Sequence, residues 1–400
     1  MAPAALIVAN RLPWPLDDGW KMRTWHSIEA LASAFPTTLV VGTGSTAATL
    51  HAARAAWGGR VEIIEVPLGR RNTLSRLVAG ALTNRPIQYL NQQTRTAHRV
   101  IATLAADRKF TVGVAVTTFM WPYLDHLGPD AVRIVDTHNV DSVNLDRYVR
   151  TLGVGPRRWY TQRTTANLRA LEQEVFTAAD QVWVCSEEEA RDVARVRSDA
   201  GIHVVPNGVD TAAFHPRDGA VVPHRLLFFG RLDYHPNTDA VLHFMREILP
   251  LIRAARPEVE CQIVGPDAPP ALAQAIASTP GMALIGRVDD VPATIATAAV
   301  VVVPLRAGGG TRLKILEAMA VGRPVVSTSI GAEGLQMIDG AEIALADTPS
   351  ELAARVLALL EAPSEAHALG LRGRAAVVAR HDWAAIRADM VRLATQPSEW

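Results

Sequence analysis

The sequence predicts an α/β protein built from two parallel-sheet domains, and three observations carry that expectation. Short apolar runs alternate with longer helical stretches along nearly the whole chain. The alternation restarts after a polar, turn-rich segment, "PNGVDTAAFHP". And a chain of 400 residues is too long for one ordinary core. Apolar runs bounded by turn residues and separated by helical patterns mean βαβ units, hence a largely parallel sheet in each half.

The first series opens with the strand "AALIVAN", the polar loop "RLPWPLDDGWK" and a helix around "TWHSIEALASAF". "TTLVVG" and "VEIIEVPL" are the next strands, followed by the helix "TRTAHRVIATLAAD". "FTVGVAV" and "AVRIVDTHN" continue as strands, and "ANLRALEQEVFTAAD" is a helix leading into the strand "QVWVCS". Ser186 followed by Glu189 predicts a capping box for a short helix. "IHVVP" is the last strand of this half, and "NGVD" after it is a turn. The second series begins at "RLLFFGRLD" and passes through the long helix "NTDAVLHFMREILPLIRAA". The strands "VECQIVG", "MALIGRV", "AAVVVVPL" and "RPVVSTS" follow, and a helix "DWAAIRADMVRLA", entered through Asp382, closes the chain. The domains are expected at residues 1–205 and 206–382. Both read as Rossmann-like layers, and two facing sheets of this kind would form a cleft beyond the carboxyl ends of their strands.

Composition narrows the function. Lys plus Arg equals Asp plus Glu at 40 each, which argues against a nucleic-acid binder. An apolar fraction of 49% with 20% charged residues is that of a globular chain. Cys185 and Cys261 each sit in an apolar strand, as buried reduced thiols do. No apolar run approaches membrane-spanning length, and "MAPAALIVAN" lacks the basic start of a leader, so a cytoplasmic protein is expected. HExxH, clustered Cys/His ligands and GxSxG are all absent, and the first loop lacks GxGxxG. Neither a metal site nor a dinucleotide dehydrogenase is expected.

The stretch "RAGGGTRLKILEAMAVGRPVVSTS" (residues 306–329) reads as glycine loop, helix and strand after the buried strand that ends at Pro304 and Leu305. Gly308, Gly309 and Gly310 let a ligand approach the backbone, and the orphan N–H groups of the helix start face whatever sits there. An anion suits that place. Arg312 and Lys314 follow directly after Thr311, and Gly230-Arg231 ends the first strand of the same half, so three cations converge on one sheet edge. A diphosphate fits three cations better than a single carboxylate does. Glu317 either accepts hydrogen bonds from a ribose diol or merely partners Lys314 on the helix surface. Gly265 and the Gly286-Arg287-Val288 turn are weaker signals, placed where a base could rest on backbone amides with Val288 against its face.

In the first half, Gly19 with Lys21 and Arg23 is a second candidate anion contact. Asp17 and Asp18 could bind an acceptor hydroxyl or simply solvate their loop. Trp14 and Trp20 bracket that loop and could stack on a sugar or pack the loop itself. His138 ends a strand in "DTHN", the end at which α/β enzymes place their chemistry. Arg157, Arg158 and Trp159 form a compact basic-aromatic spot that could meet anionic lipid headgroups, a solvated loop being the plainer reading.

Taken together, Arg231, the linker "VVPNGVD" and "GGGTRLKILEAMAVGRPVVSTSIGAEGL" resemble the retaining GT-B glycosyltransferases of family 4, over nearly the whole chain. The resemblance implies a nucleotide-sugar donor, with a UDP-sugar expected, held by the C-terminal domain. It implies a carbohydrate, lipid-linked or small-molecule acceptor held by the N-terminal one. The last helix, residues 383–400, would cross back to the first domain. No metal is needed and retention at the anomeric carbon is expected, by a front-face route in which the leaving phosphate helps deprotonate the acceptor. Arg231 looks like the arginine on the diphosphate, Glu317 like the second glutamate of E-x7-E, on the ribose, and His138 like the histidine beside the reacting sugar. Gly19 belongs to the glycine loop under the phosphates, and Asp17, Asp18 and Trp20 lie on the acceptor side. Two positions depart from the pattern. Gly309 stands where the first glutamate of E-x7-E falls, leaving the amides of Gly309, Gly310 and Thr311 to bind the sugar. Asn237 stands near the usual lysine, a cation for which Arg312 and Lys314 are placed to compensate. A nucleotide-sugar 2-epimerase and a non-catalytic nucleotide-sugar-binding subunit are the alternatives on the same plan. The oligomeric state is not legible.

Overall fold

A computed structural model describes residues 3–68, 83–197, 201–217, 219, 221–308 and 312–396. The chain divides into two compact units, Met1–Pro206 with Ile386–Trp400, and Asn207–Ala385.

The first unit is built on a seven-stranded sheet. Its strands are β1 (Ala4–Ala9), β2 (Thr37–Gly42), β3 (Val61–Val66), β4 (Phe110–Val116), β5 (Val132–Asp136), β6 (Gln181–Val184) and β7 (Ile202–Val204). They lie in the order β3-β2-β1-β4-β5-β6-β7. All neighbours are parallel, with Val8 opposite Val40 on one side and Ala115 on the other. Strands of a parallel sheet covered on both faces need apolar residues at every position, and Ala5 to Ala9 are accordingly all buried.

The second unit repeats the plan with six strands. These are β8 (Arg225–Phe229), β9 (Glu260–Val264), β10 (Met282–Gly286), β11 (Val300–Val303), β12 (Val325–Ser327) and β13 (Ala344–Leu345). Their order, β10-β9-β8-β11-β12-β13, is again parallel throughout. In both sheets the chain winds outward from a central strand and then crosses over it. That produces a topological switch point between β1 and β4 in one unit and between β8 and β11 in the other, where such sheets open a crevice beyond the strand ends.

Three elements differ from the expected reading, each for a local reason. The first helix, Gly19–Ala34, starts ahead of Thr24 because Asp18 caps it, accepting from the Lys21 amide at 2.8 Å. Gly19, Trp20, Lys21 and Arg23 are therefore helical, and the loop ends at Asp18. The long helix of the second unit splits into His235–His243 and Leu249–Ala255, joined by a π-helical turn over Phe244–Ile248. Pro250 cannot donate to the preceding turn, and the widened turn accommodates its ring. At Ser186 only half of the capping box forms. Its hydroxyl accepts from the Glu189 amide at 3.3 Å, while the Glu189 carboxylate accepts from the Cys185 amide at 2.8 Å.

The helices Pro349–Glu361 and Pro363–Arg380 complete the second unit. The final helix, Trp383–Thr395, contributes to the first: the Gln181 side-chain amide donates to the Leu393 carbonyl at 2.8 Å. Cys185 and Cys261 are free and buried.

Candidate functional site

In the second unit, the switch point brings together two segments far apart in sequence. Gly230 and Arg231 leave β8, and Pro304 to Gly308 leave β11 before the helix Leu313–Ala320. Lys314 reaches from that helix to the end of β8. Its Nζ donates to Asn237 Oδ1 at 2.7 Å and lies 4.2 Å from the Phe228 ring centroid. The same Asn237 donates through Nδ2 to the Arg231 carbonyl at 2.7 Å. Asn237 is thus a bridge: it holds the Lys314 ammonium against the Arg231 loop. A Cβ at Gly230, whose φ is +142°, would sit 3.0 Å from Lys314 Nζ, so the ammonium lies beside bare backbone.

Burial pulls the Lys314 pKa down to about 7, with the Arg312 charge adding to the effect and Glu317 opposing it. Burial likewise pushes Glu317 up to about 7, against the Lys314 charge. The Glu317 carboxylate makes no hydrogen bond and no ion pair among the described residues. A cation and an acid, both half-buried and both destabilised by desolvation, face the crevice from one helix turn.

Arg231 is exposed, and Asp233 holds its guanidinium through Nε at 3.1 Å and Nη2 at 2.7 Å. Arg312 is the N-cap of the helix and is buried, its guanidinium packed against Gly308. Arg231 and Lys314 are thus joined through Asn237 at the end of β8, while Arg312 packs against Gly308. Gly309, Gly310 and Thr311 lie outside the described residues.

The loops after β8, β9 and β10 are stitched together by backbone bonds. Gly230 donates to Val264, Leu232 to Pro266 and Gly265 to Gly286, at 2.9, 3.1 and 2.8 Å. Gly265 has φ +155°, and a Cβ there would fall 1.9 Å from the Gly230 carbonyl oxygen, so only glycine permits this approach. Of the two residues that follow, Arg287 is exposed and Val288 is half-buried against the core.

In the first unit, the carboxyl ends of β1, β4 and β5 carry a different constellation. Asp136, at the end of β5, is fully buried and paired to Arg23, also buried, with Nη2 to Oδ1 at 2.7 Å. Ser27 donates to its second oxygen at 2.9 Å, and Arg23 Nη1 donates to the Val205 carbonyl at 2.7 Å. Lys21 pairs with Asp17 at 2.5 Å, and Asp18 pairs with Arg11 at 3.1 Å. The two cations read as a second anion contact are thus occupied by carboxylates of the fold. Asp17 and Asp18 serve an ion pair and a helix cap before any ligand.

His138 follows Asp136. Its Nε2 is buried and meets no hydrogen-bond partner among the described residues. Burial lowers its pKa to about 4, with Arg23 and Arg11 adding and Asp136 opposing, so the ring is neutral at pH 7. Trp20 lies over it, ring centroids 5.8 Å apart, and Arg11 packs on the Trp20 face at 4.6 Å. Trp14 turns the other way, onto Trp25 at 5.0 Å, and packs the loop rather than framing a site. Thr117, at the switch point after β4, holds φ +75°, and its amide donates to the Asp136 carbonyl at 3.0 Å.

Asn237 and the Arg23–Asp136 pair were not legible as site elements. The only signal for Asn237 was the lysine missing from its place. Among the described residues no group of three His, Cys, Asp or Glu side chains could hold a metal ion, and no helix is long and apolar enough to cross a membrane.

Comparison with known proteins agrees with this geometry. A family model described as Glycosyltransferase Family 4 matches residues 40–213, and one described as Glycosyl transferases group 1 matches residues 223–362. The chain is 29% identical over 246 residues to an MMP alpha-(1->4)-mannosyltransferase of Mycolicibacterium hassiacum, covering 59% of this chain and 57% of that protein. It is 31% identical over 203 residues to a phosphatidyl-myo-inositol mannosyltransferase of Mycolicibacterium smegmatis, covering 47% of this chain and 50% of that protein. The chain therefore spans about half the length of the curated relatives it matches.

Among solved structures, Anabaena HepE in complex with UDP and glucose superposes with a TM-score of 0.67 at 15% identity, covering 99% of this chain and all of the other. A glycosyltransferase from Rickettsia africae superposes with a TM-score of 0.70 at 11% identity, covering 99% of each chain. At such identities the superpositions speak for the fold. With two parallel sheets of the same strand order, the chain has the GT-B fold, its residues 40–213 matching the Glycosyltransferase Family 4 model and its residues 223–362 the Glycosyl transferases group 1 model.

Proposed function

We propose that the protein transfers a sugar from a nucleoside diphosphate donor, a UDP-sugar in the first instance, to an acceptor hydroxyl with retention at the anomeric carbon. The observation that carries this reading is the Lys314–Asn237–Arg231 arrangement at the β8/β11 switch point, with Glu317 unpartnered one helical turn away. Negative charge grows on the leaving diphosphate as the glycosidic bond breaks. Two cations of the chain, one exposed on the surface and one desolvated, suit stabilisation of that charge. Asp233 occupies Arg231 until the phosphates displace it. Glu317 takes the ribose diol, and Gly265 with the Arg287–Val288 turn borders the base. The amides of Gly309, Gly310 and Thr311 receive the sugar, and Gly19 remains a candidate phosphate contact.

His138 presents a neutral imidazole with Nε2 unused, suited to a hydrogen bond with the reacting sugar. Asp17, Asp18 and Trp20 border the acceptor. An acceptor tethered to a membrane is supported by Trp159, Tyr160 and Val154, which are 63%, 54% and 96% exposed beside Arg157 and Arg158. The two mannosyltransferase relatives make mannose a sugar to test first.

The test is nucleotide release by the purified protein across UDP-, GDP-, dTDP- and ADP-sugars, with and without candidate acceptors. Protein-dependent release with product formation is expected for at least one donor. Release with none, despite nucleotide binding, would leave a binding protein. Arg231→Ala should keep its melting temperature and lose about tenfold in kcat, because the contact is charge-assisted and strengthens in the transition state. Wild-type kcat in the folded variant would remove Arg231 from the site. Glu317→Gln should weaken nucleoside diphosphate binding by about 1.5–3 kcal/mol, the range for a hydrogen bond to a charged group. Calorimetric titration checks this, and unchanged affinity would return Glu317 to a surface role.

A further inference from the structure

Opposite the proposed donor crevice, at the amino ends of β8, β11 and β12, the second unit encloses a cavity of about 330 Å³. Pro223, Pro324, Leu359, Leu360, Pro363 and Ala366 form apolar walls, and Arg323, His224 and His367 are its polar lining. Nothing in the proposed transfer reaction uses this place. The strands run away from it, and its walls come from the end of the helix Pro349–Glu361 and the start of the helix Pro363–Arg380.

Its polar groups are under-satisfied in one direction. Among the described residues the Arg323 side chain makes only a long contact, Nη1 to the Ala298 carbonyl at 3.5 Å, and its Nε is buried without a partner. Among the described residues no carboxylate pairs with it, and burial holds its pKa below the ordinary value with no acid to oppose. Of the nearby acids, Glu258 lies 3.8 Å from Nε2 of the lining residue His224, and Glu361 lies 3.5 Å from Arg256. His224 also keeps Nδ1 buried without a partner. A guanidinium left short of hydrogen bonds at the wall of an apolar cavity lacks an anion. A purely apolar guest would leave it so, and an inorganic anion would leave the walls empty.

We propose that this cavity binds an amphiphilic monocarboxylate, its carboxylate on the Arg323 guanidinium and its chain between Leu359, Leu360 and Pro324. At about 30 Å³ per heavy atom, the share of a water molecule in the liquid, the space holds roughly ten heavy atoms. That is at the small end of ligand cavities. A carboxylate matches the guanidinium fork, and the rest of an eight-carbon acid, roughly seven carbons, fills the remainder.

The experiment titrates the full chain calorimetrically with octanoate, octanol and acetate. Saturable octanoate binding is expected, at least about tenfold tighter than either control. Arg323→Gln should lower octanoate affinity to the octanol level. Should that variant fail to fold, carbon-13 octanoate on the wild-type protein decides the matter. Nuclear Overhauser contacts from its chain to the Leu359 and Leu360 methyls, with a lowered carboxyl pKa, support the site. Absence of saturable octanoate binding, equal affinity for octanol, an unchanged R323Q affinity, or contacts only to residues outside the cavity would each overturn it.

Discussion

Asp136→Ala should lower the unfolding free energy by about 3–5 kcal/mol, the cost of leaving a buried charge without its partner. Both members of the pair are at most 1% exposed. Burial alone would lower the Arg23 pKa, and the Asp136 charge and hydrogen bond, together with the Cys185 and Glu189 charges, more than reverse this. Removing the carboxylate strands the guanidinium and also frees Ser27, which donates to the other oxygen. Arg23 further holds the Val205 carbonyl next to the unit boundary, so the loss should not stay local. Urea denaturation measures it. Replacing both partners together, Arg23→Met with Asp136→Leu, should cost markedly less than Asp136→Ala alone, because apolar pairs of similar volume replace buried ion pairs well. A single variant within about 0.5 kcal/mol of wild type, the range of ordinary surface changes, would mean that the pair is not sealed from water.

Lys314→Met should weaken nucleoside diphosphate binding by roughly 10- to 100-fold, since hydrogen bonds to charged groups contribute about 1.5–3 kcal/mol. The pKa supplies a second signature. In the free protein Lys314 titrates at about 7, below its ordinary 10.5, because of burial. The folded state therefore disfavours the charged ammonium. The group's contribution to stability is complete above pH 10.5 and is lost as pH falls through 7. A diphosphate beside Nζ reverses the preference and raises the pKa. At pH 8, where the free amine is mostly neutral, binding should take up a proton, and affinity should fall as pH rises from 7 to 9. Calorimetry in two buffers of different ionisation enthalpy reads that uptake directly. It should vanish in K314M. In the same background Asn237→Lys returns an ammonium from the position that contacts Lys314 beside Gly230 and should recover part of the affinity. Proton uptake unchanged by the Lys314 variant would assign the cation role to another residue.

Much of this protein was written locally. Continuous apolar runs such as "VVVV" at β11 and the 3.6-residue period of the helical stretches between them make the alternation of two α/β units readable without any partner. The glycines around residue 308 and the arginine after "LLFF" are likewise local signals, because a helix start and a strand end advertise themselves in adjacent residues. The break at Pro250 was also present in the sequence, since a proline cannot donate within a helix. The start of the first helix needed only the recognition that Asp18 caps it better than Thr24 begins it.

What tertiary structure decided are the pairings across sequence. Arg23 and Asp136 are 113 residues apart, and Lys314 and Asn237 are 77 apart. Both sets meet where strand order places particular strand ends side by side. Read alone, Arg23 was an anion contact and Asn237 a lost cation. Packed, one is a sealed ion pair and the other a bracket for a lysine that arrives from another segment. The uncompensated Arg323 in its apolar cavity is of the same kind, because a residue's hydrogen-bond debt depends on what the fold brings to it. Periodicity is a property of neighbours along the chain, whereas charge compensation and desolvation are properties of neighbours in space. The sequence by itself therefore determined the layers and pointed to the β8/β11 edge as a candidate anion site, and only the fold determined which charges remain available there.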